Sequence, residues 1–199
     1  MAKVICLTGG LASGKSTAAR FLASQGAHVI DADVLGHRTY DPGSPAHAQV
    51  IATFGADVHA ADGTIDRRTL GGKVFGKPEE LKKLTDIVWP AIRALAEAEI
   101  ARVQADGTAK VIVLEAAVLF EAGWADIGDE VWVNVVDREV AITRAIARDN
   151  LPREAVENRL NAQLSNAERR ARATVVIEND GSQDEMLAQL RDQWARITA

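Results

Sequence analysis

The sequence predicts an α/β protein in which helices cover both faces of a mostly parallel, five-stranded sheet. Five short runs rich in Val and Ile alternate with segments in which apolar residues recur at helical spacing. The runs contain few polar residues, which is typical of strands buried on both faces. Helices between such strands form βαβ units and give a three-layer architecture. The predicted strands are Lys3–Thr8, Ala27–Asp31, Lys110–Glu115, Glu130–Val136 and Thr174–Ile177.

Two longer stretches fall outside this alternation and predict additions to the sheet. The first, residues 37–107, is too long for a single crossover connection. It includes a helix over Ala46–Phe54 and a longer helix that starts at Pro78 and that Pro90 should kink or break. The second, residues 138–172, is helical and rich in arginine. We expect a core of residues 1–36, 108–137 and 173–199, a helical insertion of residues 37–107, and a helical stretch of residues 138–172 that could be a mobile lid.

Composition and charge narrow the function classes. The chain has 199 residues and a formal net charge of −5, whereas a general nucleic-acid binder shows a basic excess. No apolar run is long enough to span a membrane, and Val4–Leu7 is too short for the apolar segment of a signal peptide. Cys6 is the single cysteine, so an intrachain disulfide is impossible. We expect a cytoplasmic monomer or weak homo-oligomer whose partner is a small molecule.

Residues Gly9–Thr17 match the phosphate-binding motif G-x-x-x-x-G-K-[ST]. The motif follows an apolar run and precedes a helical pattern, which is the context that it requires. Backbone N–H groups of such a loop point at phosphate oxygens, and the following helix adds the positive end of its dipole. Lys15 then reaches the β- and γ-phosphates of ATP, and the Ser16 hydroxyl ligates Mg²⁺. The predicted ATP-binding residues of the loop are Gly10, Leu11, Ala12, Ser13, Gly14, Lys15, Ser16 and Thr17.

Three acidic residues lie at or just beyond predicted strand ends, where ligands of open α/β sheets bind. Asp31 and Asp33 are two residues apart and share a face if the strand extends that far. One could accept the proton of an attacking hydroxyl while the other orients metal-bound water. Glu115 ends an apolar run and has the position and chemistry of a metal-holding acid in P-loop enzymes. Each of the three also fits a solvated or internally satisfied acid at a strand end.

Eight arginines and no lysine lie between residues 138 and 172. Interspersed acids indicate that many of these arginines belong to solvated helix faces. Arg144 and Arg148 are four residues apart and would share one helix face. Because a guanidinium suits phosphate clamping and the neutralisation of transition-state charge, these two are candidates for binding ATP. The eight are Arg138, Arg144, Arg148, Arg153, Arg159, Arg169, Arg170 and Arg172.

These motifs, taken in order, resemble those of the dephospho-coenzyme A kinase family along essentially the whole chain. The phosphate-binding loop alone is shared by many kinases, but the combination is highly specific. The matching segments are Leu7–Thr17, Val29–Asp33, Gly71–Phe75, Trp89–Ile92, Leu119–Glu121, Arg144–Asp149, Gln163 and Ile177–Gly181. Some segments are more similar to the kinase domain of animal bifunctional coenzyme A synthase, and these are Gly36–Arg38, Leu84–Pro90 and Ala116–Leu119.

The resemblance implies a three-layer P-loop kinase fold and the phosphorylation, by ATP with Mg²⁺, of the ribose 3′-hydroxyl of dephospho-coenzyme A. It implies that the core binds the nucleotide, that the insertion of residues 37–107 binds the acceptor, and that residues 138–172 form a lid. It implies that Asp33 is the base for that hydroxyl and that Arg144 and Arg148 contact phosphates. It also implies that the turn Asn179–Gly181 lies by the adenine of ATP, which adds Asn179 and Gly181 to the cofactor-binding residues. The expected catalytic residues are Lys15, Asp33 and Arg144, and the expected metal ligands are Ser16, Asp33 and Glu115.

The chain departs from the family pattern at four positions. Ala12, Trp89, Glu115 and Ala117 stand where the family usually has Gly, His, Asp and Pro, respectively.

Three other classes of protein share part of this pattern. One is a catalytically dead nucleotide-binding module, which the intact Lys15, Ser16 and Asp33 fit poorly. A P-loop kinase of another small metabolite, such as a nucleotide, a sugar or a shikimate-like acid, would carry the same loop, although the long insertion after Asp33 favours a bulky acceptor. A regulatory GTP-binding switch fits less well, because the guanine-reading N-K-x-D motif is absent from the sequence.

Overall fold

The computed structural model describes residues 2–199 and contains the five-stranded sheet that the sequence predicts. The strands are β1 (Lys3–Gly9), β2 (His28–Asp31), β3 (Val111–Glu115), β4 (Glu130–Val135) and β5 (Val175–Glu178). They lie in the order β2-β3-β1-β4-β5. Strand β1 runs parallel to both β3 and β4, and β4 runs parallel to β5. The predicted α/β fold is confirmed.

Helices connect the strands and form most of the two stretches that fall outside the strand–helix alternation. A short 3₁₀ turn covers Ala56–Val58. The helices are α1 (Lys15–Ser24), α2 (Ala32–Arg38), α3 (Pro45–Phe54), α4 (Arg67–Val74), α5 (Pro78–Asp106), α6 (Arg138–Asp149), α7 (Arg153–Asn161), α8 (Asn166–Ala171) and α9 (Gln183–Thr198).

Contacts divide the chain into two compact units. The first unit consists of the residues up to Ile30 together with Ile100–Ala199, and it contains nearly all of the sheet. The second unit is Asp31–Glu99, which contains α2, α3, α4 and most of α5. The roles expected for residues 37–107 in binding the acceptor and for residues 138–172 as a lid stay predictions.

In the first unit, α1 and α9 pack against the strands through a continuous apolar core. α1 contributes Ala18 and Leu22, α9 contributes Met186 and Leu190, and Trp132 of β4 is fully buried between them and the sheet. The N-terminus of α9 carries a capping box, because Ser182 and Glu185 each accept a hydrogen bond from the other's backbone N–H. This core fixes α1, and therefore the loop that precedes α1, against the sheet.

The second unit has a separate apolar core. Ser44 caps α3 and Asp66 caps α4, which sets where these helices begin. The buried core residues are Val50, Phe54, Val58, Ile65, Leu70 and Val74.

Helix α5 shows a difference from the sequence prediction. Of the two outcomes predicted for Pro90, a kink or a break, the break is wrong, because Pro90 lies inside the helix and does not end it, and the kink stays a prediction. Proline removes one backbone hydrogen bond from a helix interior. Buried Val88 and Ile92 anchor the helix on either side of Pro90, and this packing maintains the helix across the missing bond.

The carboxyl ends of three neighbouring strands meet at one edge of the sheet. Register pairs Leu7 with Glu115 on β3 and Gly9 with Asn134 on β4. The chain order reverses at β1, which is where open α/β sheets bind ligands. The loop after β1 is therefore placed beside the residues that end β3 and β4. Within residues 2–199, every helix is either too short or too polar to cross a bilayer.

Candidate active site

The loop between β1 and α1 uses left-handed backbone conformations. Gly14 has a φ of 87° and Ala12 a φ of 57°. A Cβ at Gly14 would lie 2.3 Å from Nδ2 of Asn179, so glycine is required there for space as well as for conformation. Ala12 adopts a conformation that costs an L-residue about 1 kcal/mol. Helix α1 begins at Lys15 without a capping side chain from the described residues, which leaves its first N–H groups available to an anion.

Three amide side chains from later in the chain hold this loop. Nδ2 of Asn179 donates to the carbonyl of Ser13 at 2.9 Å, and Nδ2 of Asn134 reaches the same oxygen at 3.5 Å. Nearer the start of the loop, the N–H of Leu11 donates to Oε1 of Gln163 at 3.0 Å. All three supports are neutral, so they fix the loop without adding negative charge where phosphate would bind.

Three of the predicted site residues come together at the start of α1. Nζ of Lys15 donates to Oε1 of Glu115 at 2.5 Å, and Oγ of Ser16 donates to the same oxygen at 2.9 Å. The side chains of the ion pair are only 14% and 8% exposed. Glu115 reaches this position because it ends β3 beside β1. The charge of Lys15 is therefore paired with the Glu115 carboxylate.

The donor set at this point suits Mg²⁺. A serine hydroxyl and a carboxylate are hard oxygen ligands, and Mg²⁺ typically takes one or two protein ligands and completes its octahedron with substrate phosphates and water. Within residues 2–199 no group of three His, Cys, Asp or Glu side chains forms a metal cluster. Ser16 and Glu115 therefore have the chemistry that a Mg²⁺ site requires, and their role as metal ligands stays a prediction.

Asp31 and Asp33 have different local roles. Strand β2 ends at Asp31, whose Oδ1 accepts hydrogen bonds from the N–H groups of Asp33 and Val34 at 2.8 and 3.3 Å. Asp31 is therefore the N-cap of α2, and Asp33 lies in the first turn of that helix. The two carboxylates do not share a strand face, because the strand stops before Asp33. The Asp33 side chain is exposed and belongs to the second unit.

Arg144 and Arg148 lie on α6, as predicted, but contact different groups. Arg144 donates to the carbonyls of Asn179 and Gly181 at 2.6 and 3.0 Å, which fixes the turn after β5. Arg148 donates twice to Asp149, at 2.7 and 2.9 Å. This contact raises the pKa of Arg148 and lowers the pKa of Asp149. The contact with Asp149 occupies Nε and Nη2 of the Arg148 guanidinium.

Two cavities flank the loop within the first unit. One, of about 260 Å³, lies on the side of the loop that leads into α1. Its lining residues are Ala12, Gly14, Thr17, Arg144, Asn179, Gln183 and Met186. The other, of about 190 Å³, includes Gly10 and Leu11 at the start of the loop together with residues of the arginine-rich stretch. Five of the residues expected to bind ATP therefore line the first cavity, namely Ala12, Gly14, Thr17, Arg144 and Asn179, and Gly10 and Leu11 line the second.

Sequence reasoning missed two residues of this site and left a third without a role. Asn134 is buried in the apolar run Val131–Val136, and a single amide in such a run was a usable signal that it meets a specific partner. Arg169 is buried beside Gly10, but one arginine among eight carries no distinguishing mark in the sequence. Gln163 belonged to the resemblance, and the structure adds its contact with the loop.

Comparison with known proteins agrees with this geometry. The family model for dephospho-CoA kinase matches residues 3–185. A dephospho-CoA kinase of Geobacter sulfurreducens is 46% identical over 193 residues, which cover 97% of this chain and 98% of the relative. A dephospho-CoA kinase of Shouchella clausii is 38% identical over 192 residues, covering 96% and 97% of the two chains.

Solved structures give the same result. A crystal structure of a Thermus thermophilus protein covers 100% of this chain and 99% of its own, with a TM-score of 0.82 at 34% identity. A dephospho-CoA kinase from Campylobacter jejuni matches with a TM-score of 0.75 at 27% identity, covering 99% and 98% of the two chains. A shikimate kinase from Bacteroides thetaiotaomicron, at 10% identity and a TM-score of 0.55, is similar in fold alone. With a kinase loop at the edge of a parallel sheet and a family match over nearly its full length, this chain belongs to the dephospho-CoA kinase family.

Proposed function

We propose that this chain transfers the γ-phosphoryl group of ATP to the ribose 3′-hydroxyl of dephospho-coenzyme A, giving coenzyme A and ADP, the last step of coenzyme A biosynthesis. The observation that carries the proposal is the meeting of Lys15, Ser16 and Glu115 at the head of α1 in a chain of this family. A lysine, a hydroxyl and an acid at this point are the parts that P-loop enzymes use to hold the phosphates and the metal.

The nucleotide occupies the loop with its base in the cavity that borders α1. Arg144 holds the Asn179–Gly181 turn at the wall of this cavity through two carbonyls. The uncapped N-terminus of α1 and the loop backbone bind the β-phosphate. Lys15 exchanges its bond to Glu115 for bonds to the β- and γ-phosphates, so its charge faces the developing charge of the transition state.

A bound Mg²⁺ would supply positive charge that neutralises the phosphates of the nucleotide. Ser16 and Glu115 are the residues that would hold it, and release of Glu115 by Lys15 frees the carboxylate for this purpose. Asp33 is a third candidate ligand, which is the alternative to its role as a base.

The acceptor hydroxyl needs a group that takes its proton. In our proposal the Asp33 carboxylate accepts that proton while the 3′-oxygen forms a bond to the γ-phosphorus and the bond from this phosphorus to the bridging oxygen of ADP breaks. General-base help of this kind is typically worth about 10²–10⁴ in rate. The exposed position of Asp33 in the first turn of α2 leaves its side chain accessible to an acceptor.

A cavity within the second unit suits the non-nucleotide part of this acceptor. It has a volume of about 490 Å³ and is mostly apolar, with a few polar groups at its wall. The pantetheine arm of dephospho-coenzyme A has the same character, a flexible apolar chain with interspersed amides. The lining includes Thr39, Ser44, Gln49, Ile87, Ala91, Ala94 and Leu95.

We also infer a cytoplasmic location, since the phosphoryl donor is ATP, and a monomer or weak homo-oligomer as the working form. Size-exclusion chromatography with light scattering across protein concentrations measures the oligomeric state directly.

A coupled ADP-release assay tests the proposed function. Dephospho-coenzyme A is compared with nucleosides, sugars, shikimate and pantetheine compounds at equal concentration, and mass spectrometry checks that the product has gained one phosphate. We expect turnover with dephospho-coenzyme A at least about tenfold above any other compound. The Lys15→Met variant serves as the blank for contaminating kinases. A preference for another acceptor in the panel would overturn the assignment.

A further inference from the structure

Arg169 differs from the other arginines of the stretch 138–172 in its surroundings. Only 4% of the residue is exposed. Other arginines of the stretch are exposed and satisfied by carboxylates: Arg148 by Asp149, Arg153 by Glu139 and Glu157, and Arg170 by Glu178. Among residues 2–199, Arg169 forms no ion pair. Its single hydrogen bond in this part of the chain goes from Nη1 to the carbonyl of Leu164.

This arrangement leaves a buried cation with one hydrogen bond and without a carboxylate partner among residues 2–199. A guanidinium carries five N–H donors, and an arginine is rarely buried unless it is paired. Burial lowers the pKa of Arg169. The negative charges of Glu121 and Glu168 oppose this shift by electrostatic attraction. Keeping a charge here costs folding free energy. Natural proteins accept such costs mainly at functional sites.

The guanidinium lies against the start of the phosphate-binding loop. A Cβ on Gly10 would lie 3.2 Å from Nη1 and 3.5 Å from Cζ of Arg169. The same Cβ would lie 3.5 Å from Oε1 of Gln163, which holds Leu11. Arg169 also lines the cavity of about 190 Å³ that opens at Gly10 and Leu11. A donor-rich, buried cation thus borders an open space at the loop.

The position along the loop indicates which part of the reaction it serves. The cavity assigned to the base borders Ala12, Gly14 and Thr17, towards α1, whereas the Arg169 cavity borders Gly10 and Leu11, at the other end. A nucleotide bound with its β-phosphate in the loop directs its terminal phosphate away from the base. The Arg169 cavity is therefore on the side where phosphoryl transfer takes place.

We propose that Arg169 is an anion-binding residue of the transfer site, whose guanidinium binds a phosphate oxyanion beyond the β-phosphate. The oxyanion belongs to the γ-phosphate of ATP or to the diphosphate of the acceptor. This inference rests on the proposed function and adds a residue to it. It also separates roles among the arginines: Arg144 holds the turn after β5, and Arg169 contacts the reacting phosphate.

The test uses two variants of Arg169. Arg169→Met keeps the apolar stem but removes the charge, and Arg169→Lys keeps the charge but removes the planar guanidinium with its paired N–H donors. Arg170→Met is the matched control, because Arg170 is the next residue of α8 but is exposed and bound to Glu178. Calorimetry measures the affinity of ADP, of a non-hydrolysable ATP analogue and of dephospho-coenzyme A. Thermal unfolding measures the stability of the ligand-free protein, and the coupled assay measures turnover.

We expect ligand-free Arg169→Met to melt at or above the temperature of the wild type, since an unpaired buried charge has been removed. ADP should bind within about threefold of the wild type. At least about tenfold weaker binding of the ATP analogue identifies the γ-phosphate as the ligand, and the same loss for dephospho-coenzyme A identifies the acceptor. Turnover should fall about a hundredfold or more in Arg169→Met, and Arg169→Lys should restore it only partly.

The proposal is overturned if all three ligands and turnover stay within threefold of the wild type. It is also overturned if Arg169→Met loses stability and binds ADP as poorly as the ATP analogue, which is the result of a purely structural arginine. If Arg169→Met does not fold, Arg169→Lys decides by the same comparison. The ATP-analogue measurement needs no acceptor. If the wild type shows no turnover with dephospho-coenzyme A, the proposed function is therefore refuted, but the Arg169 test can still be carried out.

Discussion

The ion pair between Lys15 and Glu115 predicts that one substitution lowers both activity and stability. Lys15→Met keeps an apolar stem but leaves the Glu115 carboxylate, 8% exposed, with the Ser16 hydroxyl as its remaining donor at this point. Removing one partner of a buried pair costs about 3–5 kcal/mol, and we expect the lower end because Ser16 remains. A loss of about 3 kcal/mol lowers the melting temperature of a chain of this size by about 6–12 °C.

The activity change has a different cause. Lys15 places a cation at the phosphates, and losing such a positioned charge lowers turnover by about a hundredfold or more. Adding Glu115→Gln to Lys15→Met removes the uncompensated charge. The double variant should therefore be more stable than Lys15→Met by about 1.5 kcal/mol or more, which is the coupling energy of the pair, but its turnover should stay low. Differential scanning calorimetry and the coupled ADP assay measure the two quantities separately.

An exposed pair provides the control. Lys82 and Asp86 are 68% and 59% exposed on α5, so Lys82→Met should change stability by less than about 0.5 kcal/mol. A Lys15→Met protein that melts with the wild type would refute the buried pair. A Lys15→Met protein that keeps near-normal turnover would refute the assignment of the loop.

Further predictions concern the acceptor, the turn after β5 and acid stability. Asp33→Asn should leave the binding of both substrates within about threefold while turnover falls about 10²–10⁴-fold, and near-complete rescue by added Mg²⁺ would instead make Asp33 a metal ligand. Ala94→Trp should fill the second-unit cavity and raise KM for dephospho-coenzyme A but not for ATP. If the variant and the wild type have the same KM for dephospho-coenzyme A, that cavity is excluded as the acceptor site. Arg144→Ala should weaken ATP binding more than acceptor binding in calorimetry, and the reverse order would assign Arg144 to the acceptor. The hydrogen bond from Arg196 lowers the pKa of Glu130 below 4.5, so this contact stabilises the fold above pH 4.5, and the stabilisation is lost as the pH falls through the lowered pKa. Glu130→Gln should therefore reduce the fall in melting temperature on acidification. An unchanged fall in melting temperature would contradict this prediction.

The sequence is informative wherever one local pattern decides the structure. All five strands lie within two residues of their predicted bounds, because each is a short run rich in apolar residues. The helix after the loop begins at Lys15 because the motif itself defines the turn. By contrast, Asp31 acts as an N-cap rather than as a partner of Asp33. An acid before a helical pattern was a usable signal for the N-cap, whereas a shared face required the strand to extend to Asp33, and it ends at Asp31.

Contacts between distant parts of the chain are beyond pattern reasoning. Lys15 and Glu115 are 100 residues apart, and their bond depends on the register of β1 with β3. Burial separates Arg169 from its neighbour Arg170, and burial depends on how α8 packs rather than on composition. Pro90 would break an isolated helix, but tertiary packing on both sides decides the outcome.

The amides of Asn134 and Asn179 meet at the carbonyl of Ser13, and this has a consequence for the speed of nucleotide capture. A flexible loop would have to search for its bound shape at every encounter, and each turnover would include the time of that search. Here the entropy of ordering the loop is lost once, when the chain folds. The rate of nucleotide entry should then depend on diffusion and on access to the site, and be insensitive to solvent additives that stiffen or loosen exposed loops.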